Sequence, residues 1–204
     1  MGGFFGVTSK RDAISDVFFG TDYHSHLGPR RGGMAAYDSE IGLQRDIHNI
    51  ENSPFRTKFD NIFDEMKGNA AIGCISDSDP QPLLIRSKLG TYALSFVGRI
   101  NNADELIERY LYTDMAHFNA MTGGKVNSVE LVSALMNHAD NFCDGIRFAQ
   151  EQIDGSTAWI ARRTALTHRK SRADSPRSRR SSALRVFRAR VCTTAAAALG
   201  DAIM

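Results

Sequence analysis

Few side chains in this sequence could do chemistry, and they are scattered. The chain opens Met1-Gly2-Gly3-Phe4-Phe5-Gly6-Val7, a glycine-rich start running straight into an apolar stretch. Termini fray unless something ties them down, so this start predicts a terminus built into a core. Such a terminus serves catalysis when the first residue of the mature chain attacks a substrate and its own α-amine acts as base. Here the residue after Met1 is Gly2, which has no side chain to attack with. Cys74 could be offered as a substitute nucleophile, but it lies in an apolar run and reads as a buried structural thiol. Cys74, Cys143 and Cys192 are odd in number and far apart, giving neither a disulfide framework nor a metal spacing. His24 and His26, two apart, fall on different faces of a helix and so make a poor metal pair. Arg30-Arg31-Gly32-Gly33 could cradle an anion through its backbone amides, although a structural turn is the stronger reading. Asp77-Ser78-Asp79 reads as a solvated loop and not a cation site. No metal and no cofactor is expected.

These residues must be positioned by regular elements, and hydrophobic periodicity supplies them. Residues 4–8 form a short apolar run bounded by glycine, which predicts a buried strand. Asp12 can cap a helix through about His26, ended by Gly28-Pro29. Residues 34–37 and 41–50 read as strands. Ser53-Pro54 opens a helix, with serine at the cap and Phe55, Phe59, Ile62 and Phe63 at helical spacing before Gly68 ends it. Residues 71–75, 82–85 and 91–97 are strand candidates, and 103–110, 128–136 and 142–153 have helical periodicity. Strand pairs alternating with helix pairs fit a layered α/β protein.

At 204 residues the chain suits one domain with an appendage. No apolar run approaches the ~20 residues of a membrane span, and there is no secretory leader, so the chain reads as cytosolic. The net charge of +2 hides a split. Residues 161–204 hold eleven Lys/Arg against Asp174 and Asp201, which leaves residues 1–160 at −7. This asymmetry marks a basic tail on an acidic domain. The expected boundary falls at Gly155-Ser156, giving a domain of 1–156 and a tail of 157–204.

Three stretches carry a resemblance to a known family. Gly3-Phe4-Phe5-Gly6-Val7 comes first. Asp16-Val17-Phe18-Phe19-Gly20-Thr21-Asp22-Tyr23-His24-Ser25-His26-Leu27-Gly28 and Arg30-Arg31-Gly32-Gly33-Met34-Ala35 follow. Ala71-Ile72-Gly73, Gln81-Pro82 and Gly98-Arg99-Ile100-Asn101-Asn102-Ala103-Asp104-Glu105-Leu106 continue in order. Together they resemble the N-terminal glutaminase domain of the amidophosphoribosyltransferase family, over roughly residues 1–156. The family's second half, which handles phosphoribosyl pyrophosphate, has no counterpart in the sequence. The resemblance implies an α+β fold, the four-layer αββα sandwich of N-terminal-nucleophile hydrolases, incomplete at its C-terminal end. It also implies a setting in purine biosynthesis, with a phosphoribosyltransferase domain and homo-oligomer contacts as partners.

In that family a terminal cysteine attacks glutamine, an arginine and an aspartate hold the substrate, and an Asn-Gly pair forms the oxyanion hole. A lost oxyanion donor typically costs ~10²–10³ in rate. Carried across by resemblance, the cysteine falls on Gly2, the arginine near Ser76, the Asn-Gly pair on Val97-Gly98 and the aspartate on Ser128. Only the glycine survives, and no replacement is visible nearby. The domain therefore reads as a degenerate, inactive pseudo-glutaminase with no catalytic residue.

The tail carries Arg162-Arg163, Arg169-Lys170 and Arg177-Ser178-Arg179-Arg180-Ser181-Ser182. Arg/Ser tracts can bind RNA through phosphate contacts, but only Trp159 and Phe187 could stack a base. Foreign or out-of-frame sequence is the first reading of this segment. A disordered basic appendage is the second and a selected nucleic-acid binder the third. The alternative function is a non-catalytic scaffold whose tail contacts RNA or another anionic partner. An active amidotransferase with an unrecognised nucleophile ranks last.

Overall fold

The structure, a computed structural model, describes residues 2–27, 30–77, 79–113, 117–163 and 184–188, with Leu27 and 184–188 described by backbone alone. Two four-stranded antiparallel sheets lie face to face, each covered on its outer side by helices. The first sheet has the order β1-β4-β2-β3, with β1 at Gly3–Thr8, β2 at Arg31–Asp38, β3 at Gly42–Asn49 and β4 at Ala70–Ser76. The second has the order β10-β9-β6-β5, with β5 at Leu83–Ser87, β6 at Gly90–Ile100, β9 at Gly155–Arg163 and β10 at Leu184–Arg188. A small hairpin, β7 (Met121–Thr122) and β8 (Lys125–Val126), stands apart. Helix α1 (Ile14–His24) covers the first sheet, joined by the short helices α2 (Phe55–Lys58) and α3 (Ile62–Glu65). Helices α4 (Ala103–Thr113), α5 (Ser128–Met136) and α6 (Phe142–Gln152) cover the second. This is the expected α+β, four-layer αββα arrangement.

Alternation along the strands explains three cores. Met34, Ala36, Ala71 and Ile75 turn toward Ile14, Val17 and Phe18 of α1 and toward Phe55 and Phe59. Tyr92, Leu94, Phe96, Trp159 and Ala161 turn toward the α4–α6 layer, where they meet Leu106, Val132, Leu135 and Ile146. Ala35, Ile72, Ala93 and Ile160 form the thin layer between the sheets. Because β4 is covered on both faces, all seven of its residues are buried, which is why its sequence reads as a continuous apolar run.

The structure corrects several sequence expectations. Residues 157–163, assigned to the tail, instead complete β9, a strand paired with both β6 and β10. The expected boundary at 156 therefore cuts a strand. Arg31-Gly32-Gly33, expected in a turn, are the start of β2 inside the first sheet. Gly33 is there for a close approach, since a Cβ on it would collide with the carbonyl oxygen of Gln81. The helix expected from Ser53 is two four-residue helices, α2 and α3, and Ser53 is not its cap. Asp12 precedes the cap residue Ala13, but still accepts from the Ile14 N–H at 3.3 Å and from the Gly68 N–H at 2.9 Å. Gly28-Pro29, Ser78, Cys192 and the Arg/Ser tract at 177–182 lie outside the described residues.

Candidate functional site

The antiparallel register of β1 on β4 pairs Gly3 with Ile75, and so places Gly2 beside Ser76 at the end of the first sheet. The facing end of the second sheet is set by β6, where Val97 pairs Ala158 and Gly98 pairs Thr157. Helix α5 starts at the same end, with Asn127 as its cap. The Asn127 side-chain oxygen accepts from the Val129 N–H at 2.8 Å, and its side-chain amide donates to the Pro80 carbonyl at 3.2 Å.

Between these three ends lies a cavity of about 540 Å³. Gly2, Ser76, Val97, Gly98 and Ser128 all line it. Five positions spread over 126 residues of sequence thus converge on one hollow. Ser76 is buried. Gly98 holds φ +141°, and a Cβ there would collide with the carbonyl oxygen of Ser156, so only glycine fits. Gly2 is equally constrained, because a Cβ on it would collide with the backbone carbonyl oxygen of Ile75. At Gly2 there is room for a hydrogen alone.

Asp77, Asp79, Gln81 and Arg99 also line the cavity, and sequence reading did not assign them to a site. Asp79, expected in a solvated loop, accepts from the backbone N–H of Ser128 at 3.2 Å. A carboxylate at a helix N-terminus is favoured by the unpaired amides and the helix dipole. Gln81 is buried, with its side-chain amide donating to the Phe96 carbonyl at 2.8 Å and its side-chain oxygen accepting from the Phe96 N–H at 2.7 Å. That double bond to the backbone fixes β6 one residue before Val97. Asp77 and the exposed Arg99 supply two more charges. Two carboxylates and a guanidinium therefore face a cavity from which sequence reading expected every anchoring charge to be missing.

The lining can bind, but it has no attacking pair. Among the described residues of its lining there is no cysteine, histidine or lysine. Cys74 lies behind the wall. It is fully enclosed, its thiol donates to the Gln81 carbonyl at 3.2 Å, and burial pushes its pKa up to about 12 despite a contact with Ser95. A thiol so disfavoured as thiolate is inert. His24 and His26 sit at the end of α1 and in the following turn, and among the described residues no group of three ligating side chains could hold a metal.

No known family profile matches the chain, and no curated protein sequence does. Solved structures do. One is glutamine phosphoribosylpyrophosphate amidotransferase from B. subtilis, described in complex with ADP and GMP, with a TM-score of 0.67 at 23% identity over 80% of this chain. Another, described as the allosteric regulatory enzyme of purine biosynthesis, gives a TM-score of 0.67 at 23% identity over 79% of this chain. In both cases the match spans 35% of the other chain, so this chain corresponds to about a third of their length. At this identity the likeness concerns the fold, and over some four-fifths of its length the chain shares that fold with phosphoribosylpyrophosphate amidotransferase.

Proposed function

We propose that this chain is a glutaminase-type domain of the amidophosphoribosyltransferase kind that does not hydrolyse glutamine. The observation that carries this reading is Gly2 at the head of the cavity, with no side chain and no space for one. Hydrolysis by this architecture needs an attacking atom at that point. The cavity volume falls in the range of small-molecule sites, and Asp77, Asp79 and Arg99 give it the charges to hold a zwitterion. Retained binding without turnover fits a regulatory or structural part beside a phosphoribosyltransferase domain in a homo-oligomer, working in cytosolic purine nucleotide synthesis. Such an assembly would draw its ammonia from solution.

The test is glutamate release from glutamine by the purified chain. The expected result is release at the level of the blank. Release above blank that a cysteine-directed alkylator abolishes would overturn the proposal.

A further inference from the structure

A second cavity, about 430 Å³, lies along the other side of α5 and has no part in the site above. One wall is β5, which contributes four consecutive residues, Leu83 to Arg86. The other is the extended segment 117–120 with Glu130, Ser133, Ala134 and Asn137 of α5.

β5 is the end strand of its sheet and pairs only with β6. In an antiparallel ladder every second residue turns its N–H and C=O away from its partner. Among the described residues nothing takes up that outer row of β5. An open row of this kind is a template for another strand. Natural proteins blunt such edges, and here the edge instead faces a hollow with a firm opposite wall.

The wall is firm because its polar groups are already used. Glu130 accepts from the Asn119 N–H at 2.9 Å and the Ala120 N–H at 2.6 Å, which straps the segment to α5 and spends the carboxylate. The Ser133 hydroxyl is bonded to Tyr92 at 2.9 Å. Two groups remain. Among the described residues the buried side-chain oxygen of Asn137 has no donor, an unfavourable state that a ligand's N–H would relieve. Arg86 is exposed and has no ion-pair or hydrogen-bond partner among the described residues, in a body that is otherwise acidic. Beside it Leu84 is 37% exposed, an apolar contact at the lip.

We infer that this groove binds an extended acidic peptide by adding it as a strand to β5. The peptide backbone pairs with the outer row of β5, one of its carboxylates meets Arg86, and an amide donor reaches Asn137. Backbone pairing gives affinity and alternate side chains give selectivity, as in other strand-addition sites. A peptide and not a free amino acid is favoured, because the unpaired groups run along four residues of strand.

The test uses the full chain and an unlabelled acetyl-Thr-Val-Glu-Val-Thr-amide probe, titrated by calorimetry, whose glutamate carries its only carboxylate. Versions with lysine in place of glutamate, and with alternate backbone nitrogens methylated, serve as comparisons. The glutamate peptide should bind about tenfold or more tighter than the lysine peptide, the size of one charge-assisted contact. Arg86→Glu should invert that order, N-methylation should abolish the binding, and amide shifts should centre on residues 83–87. Equal binding of the glutamate and lysine peptides, or no binding of either, overturns the inference. Displacement of the probe by free glutamate at equal concentration also overturns it, and points to a small-anion site.

Discussion

Gly2 shows how one missing side chain can fix the character of a site. Glycine there is required by packing as well as unsuited to attack, because the Ile75 carbonyl occupies the space a Cβ needs. Gly2→Cys is therefore expected to restore no glutamate release. It should also lower stability by ~1–3 kcal/mol, as overpacking does, measured by urea unfolding alongside the activity assay. A gain of activity without loss of stability would contradict both parts. Cys74 gives a second residue-scale expectation. Its thiol titrates near 9 when unfolded and about 12 when folded, so both states hold the proton below pH 9. Above pH 9 the unfolded state gives up its proton first, and stability falls as pH rises from about 9 toward about 12. Relative to Cys74→Ala, the native chain should lose up to ~1.4 kcal/mol per pH unit in that window, read from urea midpoints at pH 8 and pH 10.5. Gly2, Ser76, Val97, Gly98 and Ser128 were singled out from the sequence through the family resemblance, and the fold brings them to one cavity. Asp79, Gln81 and Arg99 were not, since their roles depend on the closeness of chain ends that no local pattern encodes.

At the scale of elements, α5 and β9 stand in contrast. Helix α5 follows its sequence signals closely: Asn127 caps it, and the apolar periodicity of 128–136 gives a helix of the same bounds. Asn127→Ala should cost ~0.5–2 kcal/mol, the usual loss for a cap, checked by thermal melting. Strand β9 has signals at odds with its place. Thr157, Trp159, Arg162 and Arg163 each leave a buried polar atom without a partner, where such atoms are ordinarily bonded. Arg162 is 1% exposed, lies over the Tyr37 ring at 4.9 Å and has no carboxylate partner among the described residues. Its guanidinium donates to the Arg163 carbonyl at 2.8 Å. A cation in this position opposes burial, so Arg162→Leu is expected to raise stability by ~1–4 kcal/mol, seen as a higher urea midpoint. An unchanged or lower midpoint would mean that Arg162 has a compensating anion. This mismatch is also why residues 157–163 read from sequence as tail: arginine and threonine at inward positions give no strand signal. The expectation that the tail is out-of-frame sequence is tested on the gene itself. The gene translated from codon 150 in its other two forward frames should then yield a Gly-Arg-Thr-Pro turn followed by an apolar strand. If neither does, the basic segment has a different origin.

The whole molecule consists of two large cores joined by a thin one. The first core lies under α1 and the second under α4–α6, while Ala35, Ile72, Ala93 and Ile160 form a small apolar cluster between the sheets, with Cys74 and Ser95 also buried there. Coupling between the halves therefore rests on a small apolar layer, and of the β9 residues with an unpaired polar atom Arg162 faces that junction, while Thr157, Trp159 and Arg163 face the helix layer of the second core. Local openings are expected where buried polar groups are least satisfied. Two natural probes report on the halves separately. Trp159, the only tryptophan, is buried in β9 against the second core. Cys74 is buried in β4 of the first sheet. As urea is raised, the Trp159 emission should shift red before Cys74 becomes open to alkylation, the modified residue being identified by peptide mapping. The gap between midpoints should shrink in Arg162→Leu, because removing the buried cation strengthens the weaker half. Coincident midpoints in the native chain would show a single cooperative unit. They would also mean that the unpaired groups of β9 are tolerated without local opening, and the ordering argued here would fail.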